Sequence, residues 1–326
     1  MPRFAVVGAG VMGLATARAL ARAGHEVVVH ERFGPGHERG SSHGRSRIFR
    51  LAYAEPEWVR LAQEALAGWR ELEAECGERL LELTGLLEVV ERLEESSSAG
   101  LDAAGVPWER LAREEAERRF PVLVPEGSFA VLQRDAGIVL ADRALAAFAR
   151  GLDVRYDSPV RSPDEVDAEA VVVAAGAWVN DLVEPPLPVR VTRETVAYFR
   201  LADDDRPVPA VASFRPDTHL HDFYALADPV HGLKVGSHHA GPEVDPDLPG
   251  GPDPGLVAQI AEWARAHFDL ADPEPVAAQA CLYTTMPEER FVLERRGRVV
   301  VCSACSGHGF KFAPAIGARV AELAVG

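Results

Sequence analysis

Three glycines near the start of the sequence have the spacing of a dinucleotide-binding turn. Gly8, Gly10 and Gly13 follow a short apolar segment and precede an alanine-rich stretch, and the acidic Glu31 lies 18 positions after Gly13. In such a turn the first glycine permits the tight bend, the second lets a pyrophosphate approach the backbone, and the third lets a helix pack on the strand. The spacing therefore predicts a pyrophosphate site.

The residues after this turn predict further cofactor contacts. Val11 and Met12 lie in the turn that leads into a helix expected from Leu14, whose first amides and partial positive charge would face the phosphates. Glu31 would accept hydrogen bonds from ribose hydroxyls, which disfavours a 2'-phosphate and hence NADP, although the adjacent Arg32 weakens that argument. The motif alone leaves NAD and FAD open, and a glycine-rich turn without a ligand is the alternative.

A second group of residues that could do chemistry is basic. Arg45, Arg47 and Arg50 lie within six positions of a chain with 34 basic and 50 acidic residues and a net charge of -16. Arginine stays charged and can bind a carboxylate through two parallel hydrogen bonds, so the cluster predicts an anion site. Ser42 and His43, among small neighbours, would let the backbone run close to a flat cofactor. A solvated basic loop is the alternative.

Cysteine content and charge exclude several classes of protein. Cys76, Cys281, Cys302 and Cys305 are too few and too unevenly spaced for a disulfide framework, which indicates a reducing compartment. The CxxC spacing at 302–305 offers only two metal ligands, so we expect strand packing there. The negative charge disfavours nucleic acid, and no apolar run reaches the roughly 20 residues of a membrane span. We therefore expect a soluble cytoplasmic protein.

The elements that must position these residues alternate in the first part of the chain. Residues 4–7, 14–23 and 27–30 predict a βαβ unit. Further helices are expected at 57–76, at 141–150 and from about 314, with buried strands at 170–176 and 298–303. Residues 189–279 have short alternating runs, which predict an antiparallel sheet with a helix at 255–267. The polar segment 91–105 is expected to be a surface connection.

Five blocks of this sequence resemble the monomeric sarcosine oxidase family, which includes N-methyltryptophan oxidase and, more distantly, fructosyl-amino-acid and pipecolate-type oxidases. They are the glycine turn with Glu31, SSHG at 41–44 with RIFR at 47–50, GLKVGSH at 232–238, CLYT at 281–284 and SGHGFKF at 306–312. The blocks occur in family order over nearly the whole chain, and the last two are the most specific. The resemblance implies FAD, not NAD.

The fold implied by the resemblance is α/β, or α+β overall. It combines a glutathione-reductase-like, Rossmann-type FAD-binding domain with an interleaved substrate domain on a mixed or antiparallel sheet. On this basis residues 1–82, 136–188 and 280–326 are expected to form the FAD-binding domain. Residues 83–135 and 189–279 are expected to form the substrate-binding domain.

The resemblance also implies roles for individual residues. Cys281 aligns with the cysteine that bonds covalently to the flavin 8α-methyl carbon; its other interpretation is a small buried hydrophobic residue. Arg50 and Lys311 align with the clamp on the substrate carboxylate. The remaining implied cofactor contacts are Gly8, Gly10, Val11, Met12, Gly13, Glu31, Arg32, Ser42, His43, Arg47, Gly176, Gly307, Gly309 and Lys311.

Other aligned residues are implied to act in the reaction. Lys234 matches the lysine that promotes the reaction of reduced flavin with oxygen, and Arg47 matches an arginine over the same flavin face. His238 matches the family's active-site histidine near the substrate amine, and Tyr224, or Phe223 if the alignment carries no gap, falls near the family's active-site tyrosine. A solvated lysine on a half-exposed strand, and a surface turn for the two adjacent histidines, are the alternatives from the residues alone.

The implied reaction oxidises the C-N bond of an N-substituted or cyclic amino acid to an imine and reduces O2 to hydrogen peroxide. The expected partners are therefore a small-molecule amine and O2, and the expected state is a monomer. The alternatives are an FAD dehydrogenase with another acceptor and a flavin-binding remnant without activity. At 326 residues the chain is short for the family, with 90–163 compressed, so its substrate need not be sarcosine.

Overall fold

The computed structural model describes residues 3–203, 205–212 and 223–326, which form three sheets flanked by helices. The strands are β1 (Arg3–Val7), β2 (Glu26–His30), β3 (Ser46–Phe49), β4 (Leu81–Glu82), β5 (Leu86–Val90), β6 (Glu109–Leu111), β7 (Phe129–Gln133), β8 (Gly137–Leu140), β9 (Asp153–Arg155), β10 (Ala170–Val173), β11 (Arg190–Phe199), β12 (Ala210–Ala212), β13 (Phe223–Asp228), β14 (Gly232–Ser237), β15 (Ala277–Thr285), β16 (Val292–Arg296) and β17 (Val299–Ser303). The α-helices are α1 (Val11–Arg22), α2 (Pro56–Cys76), α3 (Ser98–Ala103), α4 (Arg113–Arg119), α5 (Ala141–Ala149), α6 (Pro254–His267) and α7 (Ala313–Val325).

A six-stranded sheet carries the glycine turn. Its strand order is β16-β17-β10-β1-β2-β9, parallel except for the antiparallel edge strand β16. The central strands are almost continuously apolar because helices and loops cover both faces, as parallel sheets require. Because Val7, His30 and Val173 pair in register, β1, β2 and β10 all end at one edge. That edge is where parallel sheets bind ligands.

An eight-stranded sheet faces this edge. Its order is β15-β11-β14-β13-β12-β5-β7-β6, and its neighbours are antiparallel except for the parallel pair β12 and β5. Side chains alternate across the sheet. Leu233 and Val235 pack in one buried cluster with Ile260 of α6, whereas Lys234 between them faces the other way, towards a cavity.

The third sheet is small and lies against the other two. It has the order β3-β8-β4, and β3 contacts β13 of the eight-stranded sheet. Ser46 at the start of β3 is fully buried. This strand therefore carries the basic segment 45–50 into the space between the two larger sheets.

The expected fold class, α/β with a mixed second sheet, is confirmed. The first helix begins at Val11, three residues earlier than expected, directly after the glycine turn. The division into an FAD-binding and a substrate-binding domain stays a prediction. None of the described residues forms a helix long and apolar enough to span a membrane.

The expectation for residues 91–105 was wrong. This segment contains α3 instead of only a surface connection, and Leu101 is fully buried. A Cβ on Gly100 would lie 2.1 Å from the carbonyl oxygen of Tyr53, so the backbone itself packs into the core. The buried face of α3 consists mainly of small residues, so the sequence shows no apolar periodicity from which a helix could be predicted.

Candidate active site

A cavity of about 640 Å³ lies between the carboxyl edge of the six-stranded sheet and the eight-stranded sheet. Its volume is in the range of small-molecule and cofactor sites. Of the predicted site residues only Gly13 does not line it; the others do, namely Gly8, Gly10, Val11, Met12, Glu31, Arg32, Ser42, His43, Arg47, Arg50, Gly176, Tyr224, Lys234, His238, Cys281, Gly307, Gly309 and Lys311. The fold thus gathers residues from both ends of the chain.

The glycine turn connects β1 to α1 at the cavity. Gly8 has a φ of +107°, and a Cβ there would lie 2.4 Å from the carbonyl oxygen of Ala174. A Cβ on Gly13 would lie 1.9 Å from the carbonyl oxygen of Gly8, so Gly13 serves close helix packing and does not line the cavity. Gly10 precedes α1 without a side-chain cap. The helix N-terminus therefore opens onto the cavity with its positive dipole end.

Glu31 lies at the end of β2 and fixes this turn. Its Oε2 accepts a hydrogen bond of 2.7 Å from the Ala9 amide, and its Oε1 accepts one of 3.0 Å from the Phe33 amide. Burial alone would raise the pKa of Glu31, but hydrogen bonds from His37 and from the two amides more than offset it, so the pKa is lowered. Glu31 is therefore an anion that keeps lone pairs for further donors.

Arg32 lies at the same end of the cavity. Its Nη2 is 3.0 Å from Oδ1 of Asp247, a residue of the loop between β14 and α6. The Nε1 of Trp178 donates a 2.9 Å hydrogen bond to the same carboxylate. The Arg32 guanidinium also lies 5.6 Å from the Trp178 ring centroid. Asp247 thus ties two cavity-lining side chains to the opposite sheet's loop.

Arg47 organises the loop between β2 and β3. Its guanidinium donates hydrogen bonds to the backbone carbonyls of Ser41, His43 and Ser46. Ser42 of this loop accepts a 3.1 Å hydrogen bond from the Val11 amide through its Oγ. The loop is therefore pinned against the start of α1. Arg47 and Arg50 of the basic segment therefore line the cavity, whereas Arg45 is exposed and does not.

His43 leaves a buried polar atom in this wall. Its Nε2 is buried without a hydrogen-bond partner among the described residues. Burial, and then the charges of Arg47 and Lys234, lower the pKa of His43 to about 4, so the ring is neutral at neutral pH. An unsatisfied buried nitrogen at a cavity wall is accounted for by a ligand atom that bonds to it.

The residues present fit a bound FAD. The uncapped helix N-terminus at Gly10 suits a pyrophosphate, and Glu31 retains acceptor capacity for ribose hydroxyls. Gly176 has a φ of +54° at the end of β10, and no atom lies within 4 Å of where its Cβ would be. Together with the orphaned His43 nitrogen, these features leave space and partners for a long, polar cofactor.

Lys234 lies across the cavity from the glycine turn. It is 6% exposed, and its Nζ donates a 3.3 Å hydrogen bond to the Ser46 carbonyl. Burial, and then the charge of Arg47, lower the pKa of Lys234 to about 7, while Cys281 and Asp228 oppose this shift. The alternative of a solvated lysine is therefore wrong. The ammonium is poised to change charge near neutral pH.

Cys281 lies in β15 and is a free thiol that lines the same cavity. It pairs with Glu194 across the β11–β15 ladder. Burial raises the pKa of Cys281, whereas Arg47 and Lys234 act in the opposite direction. These two cations are the groups that would stabilise a thiolate there.

Arg50 and Lys311 both contact the side chain of Tyr53. The Nζ of Lys311 donates a 2.9 Å hydrogen bond to the hydroxyl of Tyr53, and the Arg50 guanidinium lies 4.4 Å from the Tyr53 ring centroid. The Nζ also donates a 2.6 Å hydrogen bond to the His308 carbonyl. Burial and Arg50 hold the pKa of Lys311 well below its usual value. Two cationic groups so close together favour an anionic ligand.

His238, in the turn after β14, lies against Tyr224 of β13. Their ring centroids are 6.4 Å apart, and Gly236, opposite Tyr224 in the ladder, provides the space that the phenol ring fills. Phe223 instead stacks on Trp263 of α6 at 5.4 Å. Tyr224 is therefore the residue of the pair whose ring faces His238, which lies in the turn after β14 and is half-buried at the cavity. Its functional role stays a prediction.

Four residues of the site were not assigned roles from the sequence. Tyr283 and His308 lie inside recognised blocks, and Tyr53 and Glu289 carry no motif signal. The hydroxyl of Tyr53 is 3.2 Å from Nδ1 of His308, whose Nε2 is 3.0 Å from the backbone carbonyl of Glu289. Local sequence patterns could not reveal this network, because Tyr53 and His308 are 255 positions apart in the sequence.

Comparisons with known proteins identify a matching family, relatives and a similar solved structure. The sequence family described as FAD dependent oxidoreductase matches residues 3–323. Human peroxisomal sarcosine oxidase is 32% identical over 361 residues, covering 98% of this chain and 91% of the relative. Monomeric sarcosine oxidase of Streptomyces avermitilis is 30% identical, covering 98% and 92%. The structure of NikD, an unusual amino acid oxidase essential for nikkomycin biosynthesis, has a TM-score of 0.84 and 30% identity, covering 100% and 94%.

Proposed function

This chain belongs to the family of FAD-dependent oxidoreductases, and on that premise we propose that it oxidises the C-N bond of a secondary or cyclic amino acid. The observation that carries the proposal is the anion site at Arg50, Lys311 and Tyr53, in the same cavity as the dinucleotide turn. The sarcosine oxidases among the relatives support an N-methyl or similar amino acid as substrate.

In this proposal the substrate carboxylate binds between Arg50 and Lys311. Arginine offers two parallel donors and lysine a point charge, so the pair fixes both position and orientation. The Tyr53 hydroxyl holds the Lys311 Nζ in place. Charge compensation by the carboxylate would also restore the pKa of Lys311, which burial and Arg50 depress.

The substrate amine lies near His238 and Tyr224. Burial and the adjacent His239 lower the pKa of His238, so its ring is neutral and offers a lone pair to an amine proton. Bound FAD would supply the two-electron oxidant: the carbon next to nitrogen gives up a hydrogen with two electrons and the amine loses a proton, so that C–N becomes C=N, and O2 as the final acceptor is reduced to hydrogen peroxide. The protein holds the carbon in place and keeps the amine able to react.

Lys234 and Arg47 are proposed to favour the reaction with oxygen. A fixed cation stabilises negative charge as it develops on oxygen, and does so strongly in a site that excludes water. Lys234 is buried beside the Ser46 carbonyl, with Arg47 close enough to depress its pKa. These positions support an oxidase over a dehydrogenase with another acceptor.

We also propose that FAD is bonded covalently to Cys281. The thiol lines the cavity and has two cations near it that favour the thiolate. Acid-precipitated wild-type protein should stay yellow, and the Cys281→Ala pellet should be colourless. Cys302→Ala, which removes a buried thiol from β17, is the control and should stay yellow. A colourless wild-type pellet from fully flavinated protein would contradict the linkage.

The arrangement of the molecule is part of the proposal. Residues 1–82, 136–188 and 280–326 would form the FAD-binding domain, and 83–135 with 189–279 the substrate-binding domain. The monomeric sarcosine oxidases among the relatives support a monomer. The four free cysteines support a reducing compartment, so the cytoplasm is the proposed location.

A substrate panel tests the proposed activity. Holoenzyme is incubated with sarcosine, larger N-methyl amino acids, proline, pipecolate and fructosyl amino acids, and peroxide release is measured. Lys311→Met should raise KM for carboxylate substrates far more than it lowers kcat. An electron acceptor dye replaces oxygen in a parallel assay. Turnover with the dye alone would favour a dehydrogenase, and inertness towards every amine would favour a flavin-binding remnant.

A further inference from the structure

His238, which lines the cavity, forms a cluster with His239 and Glu289, which lie behind the cavity lining. Each residue offers one ligand atom, and these atoms all lie within 4.8 Å of one another. The His238 Nε2 is 4.0 Å and the His239 Nε2 is 3.2 Å from the carboxylate oxygens of Glu289. Two imidazoles and a carboxylate form a donor set that suits divalent transition metals.

The backbone brings the two adjacent histidines to one side. Neighbouring residues of an extended strand point to opposite faces, so consecutive histidines do not normally share a ligand. Here β14 ends at Ser237, and His239 has a φ of +55°. Its ring centroid consequently lies only 4.1 Å from that of His238, and both rings make edge contacts with Tyr283.

Glu289 reaches the cluster from the turn after β15. Glu288 and Glu289 have φ values of 56° and 53°, a conformation that residues other than glycine rarely adopt. Such backbone persists where surrounding structure enforces it, often at functional sites. The side chain of Glu289 is half exposed, so the cluster is open to ions from solution.

His239 has unused ligand capacity. Both of its ring nitrogens are buried without a hydrogen bond of acceptable geometry, although Nε2 lies near Glu289. A buried polar atom without a partner costs free energy. A metal ion bound by Nε2 would remove part of that cost. Tetrahedral zinc sites place neighbouring ligand atoms about 3.4 Å apart, and the two measured distances bracket this value.

We propose that His238, His239 and Glu289 bind one divalent transition-metal ion, and that the ion inhibits the enzyme by occupying the substrate cavity. Three protein ligands leave a coordination position open, as in sites that exchange water or small ligands. The ion would bind a ring nitrogen of His238, the cluster residue that lines the cavity. Bound metal and bound amine therefore exclude each other.

Nearby positive charges should lower the affinity of the cluster for a metal ion. Arg50 acts on both His238 and Glu289, and the charge of Glu289 reaches Lys311. These cations oppose a further positive charge, so we expect weaker affinity than that of a closed structural zinc site with four protein ligands. The amine reaction itself needs no ion at this position.

Calorimetric titration of chelator-treated holoenzyme with Zn²⁺ tests the site without any turnover. Wild type should bind a single ion per chain. His239→Gln and Glu289→Gln should each weaken binding by at least about tenfold. His231→Gln removes an imidazole from the neighbouring hairpin turn and should leave binding unchanged. Unchanged binding in both cluster variants would overturn the proposal, and it would do so whether or not the enzyme oxidises the proposed amines.

Steady-state kinetics with the best substrate of the panel test the inhibition. Zn²⁺ should raise KM and leave kcat unchanged in wild type and His231→Gln. His239→Gln, which removes a metal ligand outside the proposed catalytic group, should retain activity and lose this inhibition. Binding in the calorimeter without any change in KM would contradict the blocked cavity.

Discussion

Lys234 and Lys311 are the only lysines in a chain with 34 basic residues. All other basic positions are arginine, including every basic residue on the surface. Both lysines are buried, at 6% and 4% exposure, in the one cavity. Lysine differs from arginine in that burial readily shifts its pKa. Both cavity lysines are therefore compact cations whose charge can change with pH, unlike the arginines elsewhere in the chain.

The charge of Lys234 should control the pH dependence of the oxygen reaction. Burial and Arg47 lower its pKa to about 7, so the cationic fraction falls as pH rises through about 7. The rate at which oxygen reoxidises the reduced enzyme should fall over the same pH range. Lys234→Met should be roughly 100-fold slower at pH 6 and independent of pH, measured by stopped-flow absorbance.

Asp228 should contribute to the midpoint of this transition. Its Oδ2 is 3.5 Å from the Ser46 Oγ, and the backbone carbonyl of that serine accepts the hydrogen bond from Lys234. Asp228 raises the pKa of Lys234, as does Cys281, so Asp228→Asn should move the midpoint to lower pH. Protein labelled with [13Cε]lysine would show only two lysine signals, which allows the pKa to be measured directly. An unchanged midpoint would remove Asp228 from this role.

At the scale of elements, the contact between α1 and β1 determines whether the cofactor turn forms. Gly13→Ala would place a Cβ 1.9 Å from the Gly8 carbonyl oxygen, which is backbone and cannot move independently. We expect about 1–3 kcal/mol lower unfolding free energy and weaker retention of FAD. Denaturant unfolding and flavin content measure both effects.

Gly251→Ala is the matched control for this change. Gly251 has no atom within 4 Å of its prospective Cβ and does not need a positive φ, so the substitution should be near neutral. Equal stability of the two variants would show that α1 can shift without cost. The cofactor turn would then be less dependent on close packing than the structure indicates.

At the scale of the whole molecule, Asp247 joins the eight-stranded sheet's loop to the cofactor end of the cavity through Arg32 and Trp178. Asp247→Ala should therefore weaken noncovalent FAD binding about tenfold, since a charged hydrogen-bond acceptor is lost. The Cys281→Ala background is needed because a covalent bond would hide the effect. Flavin fluorescence titration measures the Kd, and the exposed Asp167→Ala should leave it unchanged.

Length is the other property of the whole molecule that bears on substrate choice. The alignment with the human relative extends over 361 positions, whereas this chain has 326 residues, so the relative contains segments that this chain lacks. We expect the panel to show activity with substrates bulkier than sarcosine, read from relative kcat/KM.

The sequence alone determined the features that depend on neighbouring residues. The glycine turn, the βαβ unit and the cysteine and SGHGFKF blocks are contiguous, so their chemistry and their family could be read directly. The tertiary structure decided what depends on distant residues. Lys311 and Tyr53 are 258 positions apart, and the faces of Phe223 and Tyr224 depend on strand register. Local patterns also missed α3 and the cluster of His238, His239 and Glu289, because small residues and an unusual backbone conformation carry no periodic signal.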